Sequence, residues 1–302
     1  MSPASETWLG IGGLTFHLVS DDDRLAPAGD RLSLPFFVES RRADVHLRAG
    51  WTDIPAAPEG ELLFDCGYAW QLRSSGGDFH FSFRSSGGDP LPYKSARFNA
   101  DFTTGEVEVY RPHFRDRPAA PVDPLEYPLD ELLVIHQLSQ GKGVEIHGCG
   151  LLDAAGRAYV FAGQSGAGKS TLARLCAGVP GLTVLSDERV VMRTDRDPIV
   201  VYGTPWHGDA MFVSPNSGPL AGVFFLRHAA SHAVVPAGGL LAAARLLSCA
   251  FLPFHSPAAV RRTIAAVERA TSAVPCHELG FAPDASVVEA LERKTGIRFF
   301  MP

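Results

Sequence analysis

The stretch Gly163-Gln164-Ser165-Gly166-Ala167-Gly168-Lys169-Ser170 constrains this chain more than any other, because it fits the pattern G-x-x-x-x-G-K-[ST] of a loop that cradles nucleotide phosphates. Its glycines let the backbone take positive φ and approach a polyphosphate with no Cβ in the way, so successive N–H groups can point at the oxygens. Lys169 would neutralise the β- and γ-phosphates, and the Ser170 hydroxyl would take a position on Mg2+. Thr171 follows directly and completes the set expected against the nucleotide. The flanks give the motif its context. Residues 157–162 read as a short buried strand, and residues 170–178 as a helix whose N-terminal dipole favours an anion. The chain's lysines stand only at 94, 142, 169 and 294, its other cations being arginine. A compact, flexible point charge is therefore placed where the loop needs one.

With 302 residues and 46% hydrophobic content the chain can bury one core or two. Its net charge of -6 is scattered rather than blocked, which argues against a nucleic-acid surface or a polybasic membrane patch. No apolar run approaches the ~20 residues of a membrane span, and Met1 to Leu9 lacks a basic stretch followed by an apolar one. A cytoplasmic protein with no membrane partner is expected. The five cysteines, at 66, 149, 176, 249 and 276, form no C-x-x-C pair, which suits reduced thiols rather than disulfides or zinc. Homo-oligomerisation is allowed but not indicated.

From Gly10 to Tyr110 the pattern is short, alternating and turn-rich. Residues 14–19, 69–72, 79–83 and 107–110 read with a period near two, as half-buried strands do. Arg73-Ser74-Ser75-Gly76-Gly77-Asp78 and Arg84-Ser85-Ser86-Gly87-Gly88-Asp89 are near-copies flanking one strand, and Thr104-Gly105 reads as the close of another hairpin. The copies are either two tight turns or a ligand site. This predicts a small antiparallel β domain that recognises a partner or gates the nucleotide site. Prolines at 112, 118, 121, 124 and 128 mark a connector, so the expected domains are 1–127 and 128–302.

The second domain is expected to alternate strands and helices. Residues 129–140 should form a helix, with Asp130 and Glu131 in its first turn and Gly141 at its end. Strands are expected at 143–152, 158–161, 182–185, 190–193, 199–202, 222–226 and 274–279. Helices are expected at 240–250, 257–271 and 285–294, with Ser256 and Asp284 as caps. The phosphate loop would then leave the carboxyl end of a strand in an α/β domain.

Asp187-Glu188, 18 residues after Lys169, places two carboxylates at the end of an apolar strand. If neighbouring side chains leave a strand on opposite faces, one can hold Mg2+ while the other takes a proton from an attacking alcohol or braces the site. His147, at the end of the strand before the loop, is either a structurally satisfied histidine or a further site residue. Gly203-Thr204-Pro205-Trp206-His207-Gly208-Asp209 reads as a loop, either lining the site through Trp206, His207 and Asp209 or simply anchored by a buried tryptophan. Arg193, Arg227 and Arg245 are open candidates for stabilising transferred-phosphate charge.

Ile146-His147-Gly148, the loop through Ser170, and Ser186-Asp187-Glu188 together resemble the HPr kinase/phosphorylase family over residues 129–302. They are similar in particular to the HPr-kinase-related serine kinases often associated with peptide modification. The resemblance implies a P-loop nucleotide-binding domain of the HPr kinase/phosphoenolpyruvate carboxykinase type, here preceded by the antiparallel β-rich domain. It implies Lys169 and Ser170 on phosphates and Mg2+, His147 in support, and Asp187 and Glu188 aiding deprotonation of an acceptor serine. Glu188 stands where the family has a second Asp, and the family's downstream E-x-R-G-x-G signature has no counterpart, so HPr itself and reverse phosphorolysis are not implied. The expected activity is ATP- and Mg2+-dependent transfer of the γ-phosphate to a serine of a protein or peptide. A metabolite kinase or carboxykinase-like enzyme, and a non-catalytic ATP-binding regulatory module, are the alternatives.

Overall fold

The computed structural model describes residues 5–27, 32–55, 58–85, 91–116 and 120–295. It is a mixed α/β structure that divides into two compact units, residues 1–10 with 14–133 and residues 11–13 with 134–302.

The first unit is built on an eight-stranded sheet of order β1-β2-β3-β8-β7-β6-β5-β4. Its strands are β1 (Ser5–Ile11), β2 (Leu14–Ser20), β3 (Val45–Thr52), β4 (Glu61–Asp65), β5 (Trp70–Ser75), β6 (Asp78–Phe83), β7 (Lys94–Phe98) and β8 (Thr104–Tyr110). Alternation sets the faces: Leu14, Phe16 and Leu18 of β2, Val45, Leu47 and Ala49 of β3, and Val107 and Val109 of β8 are buried, while the residues between them are more open. The expected turn at 76–77 joins β5 to β6, with Gly76 at φ 63 and Gly77 at φ 91, the pair of positive φ values that a tight two-residue hairpin demands. Its near-copy at 86–89 lies outside the described residues.

Two expectations about this sheet need correction. It is an antiparallel meander only from β4 to β8, because β3 pairs in parallel with both β2 and β8. The connection from β2 to β3, across residues 21–44, is long enough to return the chain for parallel pairing. Thr104-Gly105 does not turn the chain either. The turn is Asn99–Thr103, where Asn99 Oδ1 accepts the Thr103 and Thr104 N–H groups at 2.9 and 3.0 Å. Gly105 lies in β8 under the Phe98 ring, where a Cβ would come within 2.2 Å of that ring.

The division between units falls inside α1 (Leu129–Gln137), which runs into a wider turn ending at Lys142, with Gly141 at φ 92. The second unit continues through β9 (Gly143–Leu152), β10 (Ala158–Ala162), α2 (Lys169–Ala177), β11 (Thr183–Ser186), β12 (Arg189–Arg193), β13 (Val200–Tyr202) and β14 (Ser217–His228). It ends with β15 (Ala233–Pro236), α3 (Gly239–Leu247), α4 (Pro257–Ala273), β16 (Cys276–Phe281) and α5 (Val287–Thr295).

Strands β9, β10, β14, β13 and β12 pair around a closed ring, all antiparallel except β10 with β14. The long strands make this possible: β9 pairs β12 with its first half and β10 and β11 with its second, and β14 passes from β13 to β10 to β16. Strand β10 is buried on both faces. Val160 and Ala162 enter a core closed by α3 and α4 (Ala242, Leu246, Val267), whereas Tyr159 and Phe161 enter one closed by α2 and α5 (Leu172, Cys176, Leu291). Ser256 caps α4 as expected, accepting the Ala259 N–H at 3.3 Å. Asp284 does not cap α5 directly. Its Oδ1 accepts the Ser286 N–H at 2.9 Å in a turn one step earlier, and the helix starts at Val287. Among the described residues no helix is long and apolar enough to cross a membrane.

Candidate functional site

Strand register brings the separate motifs to one place. Ala162, the last residue of β10, pairs with Gly148 of β9, so Gly163 emerges beside His147, its N–H 3.4 Å from the His147 carbonyl. On the other edge of β9, His147 pairs with Arg189, the first residue of β12, and the Gly148 N–H donates to the Glu188 carbonyl at 2.9 Å. The start of the glycine-rich loop, His147 and Glu188 are thus neighbours across three strands.

The loop itself is tightly specified. Gly166 and Gly168 take φ 81 and 100, a Cβ on Gly163 would come 2.7 Å from the Ala167 Cβ, and one on Gly168 would meet Phe281 at 3.1 Å. Lys169 Nζ turns back along the loop and donates to the Gly163 and Gln164 carbonyls at 3.0 and 3.2 Å. It is nearly buried, and burial presses its pKa below the usual lysine value, against the pull of Glu188. Ser170 and Thr171 open α2, and the Leu172 N–H closes the first turn on the Gly168 carbonyl at 2.9 Å.

The Asp187-Glu188 pair is separated by geometry. Both lie in the bend between β11 and β12, where the Ser186 hydroxyl accepts the Glu188 and Arg189 N–H groups at 3.2 Å each. Asp187 is fully buried: Oδ1 accepts the Gly208 and Phe212 N–H groups at 3.1 and 3.2 Å, and Oδ2 accepts that of Ala210 at 2.9 Å. Expected beside the metal or the acceptor, it instead organises the loop that follows Trp206. Glu188 faces a cavity of about 610 Å3, shared with Ser165, Gly166, Gly168, Lys169, Ser170, Thr171, His207 and Asp209. His147 stands behind Glu188, its Nε2–H donating to Oε1 at 3.0 Å. Burial and the Lys169 ammonium lower the His147 pKa while Glu188 raises it, the net direction being down. A neutral imidazole therefore holds the carboxylate in place.

Trp206 is buried rather than lining the site, its carbonyl accepting from the Ser186 hydroxyl at 3.3 Å. It anchors the loop that carries His207 and Asp209 to the cavity. The three arginines left open are engaged elsewhere. Arg193 Nη1 donates to the Gly13 carbonyl at 2.6 Å and its fork pairs with Asp195, while Arg227 and Arg245 both pair with Glu278.

Two cavity residues had no motif to announce them. Arg174 projects from α2, about one turn after Ser170 and Thr171, and donates to the Asp209 carbonyl at 3.0 Å. His228, at the end of β14, bonds the Gly166 carbonyl at 2.6 Å. Helical spacing of three and four from Thr171 and Ser170 could have pointed to Arg174; nothing local points to His228, which arrives through the parallel pairing of β10 with β14.

The oxygen donors in the cavity suit Mg2+. It takes one or two carboxylates and fills its remaining positions with phosphate and water, and here Ser170, Glu188 and Asp209 supply one hydroxyl and two carboxylates. No described group of three or more His, Cys, Asp and Glu side chains forms a closed metal cage. Compared with known proteins, the chain matches no family model, and no curated protein matches it significantly.

Proposed function

We propose that this chain is an ATP- and Mg2+-dependent kinase that transfers the γ-phosphate to a serine hydroxyl of a protein or peptide. The observation that carries the proposal is the cavity in which Lys169 and Ser170 on one side meet Glu188, held by His147, on the other. Cation, hydroxyl and carboxylate are the groups that phosphoryl transfer to an alcohol requires. The glycine-lined loop would carry the phosphates, and Lys169 would exchange its two carbonyl partners for phosphate oxygens. Mg2+, when bound, would spread the negative charge that develops on the transferring group; Ser170 and Asp209 would hold it, which leaves the free oxygen of Glu188 for the proton.

Glu188 would take the proton as the acceptor oxygen bonds to the γ-phosphorus and the bridging P–O bond to ADP breaks. His147 keeps that carboxylate aimed and, being neutral, leaves the negative charge on it. His207 and Asp209 are exposed at the cavity, which gives a serine presented on a chain a route in. The test is incubation with γ-labelled ATP, Mg2+ and candidate proteins or peptides. Labelled phosphoserine that depends on Glu188 is expected. Tight ATP binding with no labelled acceptor, or transfer unchanged in Glu188→Gln, would sink the proposal.

A further inference from the structure

The first unit carries a second constellation, on the polar face of its sheet and unconnected with phosphate chemistry. We propose that His17 and His46 form a transition-metal site for an ion such as Zn2+, bound through both Nδ1 atoms. The two residues are register partners on the parallel strands β2 and β3. They alternate with the buried Phe16, Leu18, Val45 and Leu47, so both imidazoles leave the same, open side of the sheet.

The separation of the nitrogens is the first argument. His17 Nδ1 and His46 Nδ1 are 3.4 Å apart, with the rings inclined at 85°. That is long for a hydrogen bond, for which about 2.7–3.2 Å is usual. It is the span a tetrahedral ion imposes on two nitrogens bound at about 2.0–2.1 Å, which works out at about 3.3–3.4 Å.

The far side of His17 is the second. Its Nε2 lies 2.9 Å from Glu6 Oε1, so Nε2–H donates to the carboxylate and the lone pair is left on Nδ1. Ligating histidines are regularly fixed by such a carboxylate, which sets the tautomer and raises the basicity of the metal-facing nitrogen. Trp8 reinforces the arrangement twice, stacking on His17 at 4.0 Å and donating from Nε1 to Glu6 Oε1 at 3.2 Å. The mouth is open: both histidines line a cavity of about 530 Å3, and His46 is exposed. No third His, Cys, Asp or Glu among the described residues completes a ligand set. The ion would therefore keep two positions for water or for an anionic ligand. An imidazole pair favours Zn2+, Cu2+ or Ni2+ over Mg2+, which separates this site from the oxygen donors around Ser170.

The test is a Zn2+ titration of tag-free, chelator-stripped full-length protein, followed by calorimetry and by 15N shifts of the histidine rings. One saturable site is expected, with metal-dependent shifts at Nδ1 of His17 and His46 and at no other imidazole. His46→Gln, a change at an exposed position, should abolish that site, whereas His80→Gln on the same sheet should leave it intact. Glu6→Gln should raise Kd about 10–100-fold. Saturable binding that persists in His46→Gln, or the absence of Nδ1 shifts in the parent protein, would overturn the proposal and leave the pair as a long histidine–histidine contact.

Discussion

The sharpest expected contrast is between Asp187→Asn and Glu188→Gln, adjacent and nearly isosteric changes. The Asp187 carboxylate is fully buried and accepts three backbone N–H groups, two on Oδ1 and one on Oδ2. An asparagine can keep its oxygen toward Gly208 and Phe212, but its amide nitrogen then confronts the Ala210 N–H, donor against donor. A buried N–H left unsatisfied costs about 1–3 kcal/mol, and two bonds that lose their charge assistance give up roughly 1 kcal/mol each. The sum, about 3–5 kcal/mol, falls on the loop from Gly208 to Phe212. Glu188 is partly exposed, and a glutamine oxygen can still accept from His147 Nε2, so Glu188→Gln should cost under about 1 kcal/mol. Because the chain has two units, a single global unfolding energy is a poor readout, and amide hydrogen exchange is the better one. In Asp187→Asn the Gly208, Ala210 and Phe212 amides should exchange at least about 100-fold faster, since each 1.4 kcal/mol is a factor of ten. In Glu188→Gln they should be unchanged while phosphoryl transfer disappears. Protection retained at those amides in Asp187→Asn, or transfer retained in Glu188→Gln, would refute this division of labour.

Lys169→Ala should weaken ATP binding more than tenfold in a fluorescent-nucleotide titration, and proteolysis should also find the loop loosened, because Nζ ties down the Gly163 and Gln164 carbonyls. Gly168→Ala imposes a left-handed φ of 100 and a contact of 3.1 Å with Phe281. At about 1–2 kcal/mol it should lower nucleotide affinity roughly 5- to 30-fold, whereas Gly178→Ala, with nothing within 4 Å, should not. Burial lowers the pKa of both His255 and His277, so between their folded values and the unfolded value of about 6.5 the unfolded chain binds more protons. Stability should therefore rise as pH climbs through about 6.5 and be lost below it, and His277→Phe, which preserves the stack on Phe224, should flatten part of that slope in denaturant unfolding at several pH values.

Some of this was legible in the sequence because the chemistry is local. The turn at 163–170 can be read since its glycines stand where the backbone takes positive φ, at Gly166 and Gly168, and β2 can be read since Leu14, Phe16 and Leu18 alternate. Strand β7 was not legible. Its sequence Lys-Ser-Ala-Arg-Phe shows no alternation because Lys94 is buried on the apolar side, its ammonium 3.4 Å from Glu126 and 4.8 Å from the Phe83 ring centroid. Strands β1, β3, β4 and β15 are no more legible, and the parallel pairings of β3 depend on partners far away in sequence. The Gly203-to-Asp209 stretch admits two readings, and the structure divides its residues between them: Trp206 is a buried anchor, while His207 and Asp209 line the cavity.

The fate of Asp187 and Glu188 follows from where the chain bends rather than from which residues they are. Strands β11 and β12 run along the same edge of β9, Ser186 opposite Gly150 and Arg189 opposite His147, so the two carboxylates occupy the bend where the chain passes from one pairing to the next. Alternation across a strand would have put them on opposite faces and made their roles interchangeable on paper. In the bend, the Ser186 hydroxyl holds the chain so that Asp187 meets the backbone of Gly208, Ala210 and Phe212 while Glu188 meets His147. Gly208 is what allows both, since a Cβ there would come 2.7 Å from Glu188 Oε2 and 2.9 Å from Asp187 Oδ2. Gly208→Ala should therefore disturb both carboxylates at once, lowering transfer and amide protection together, whereas Asp187→Asn acts first on the loop and Glu188→Gln on the chemistry alone.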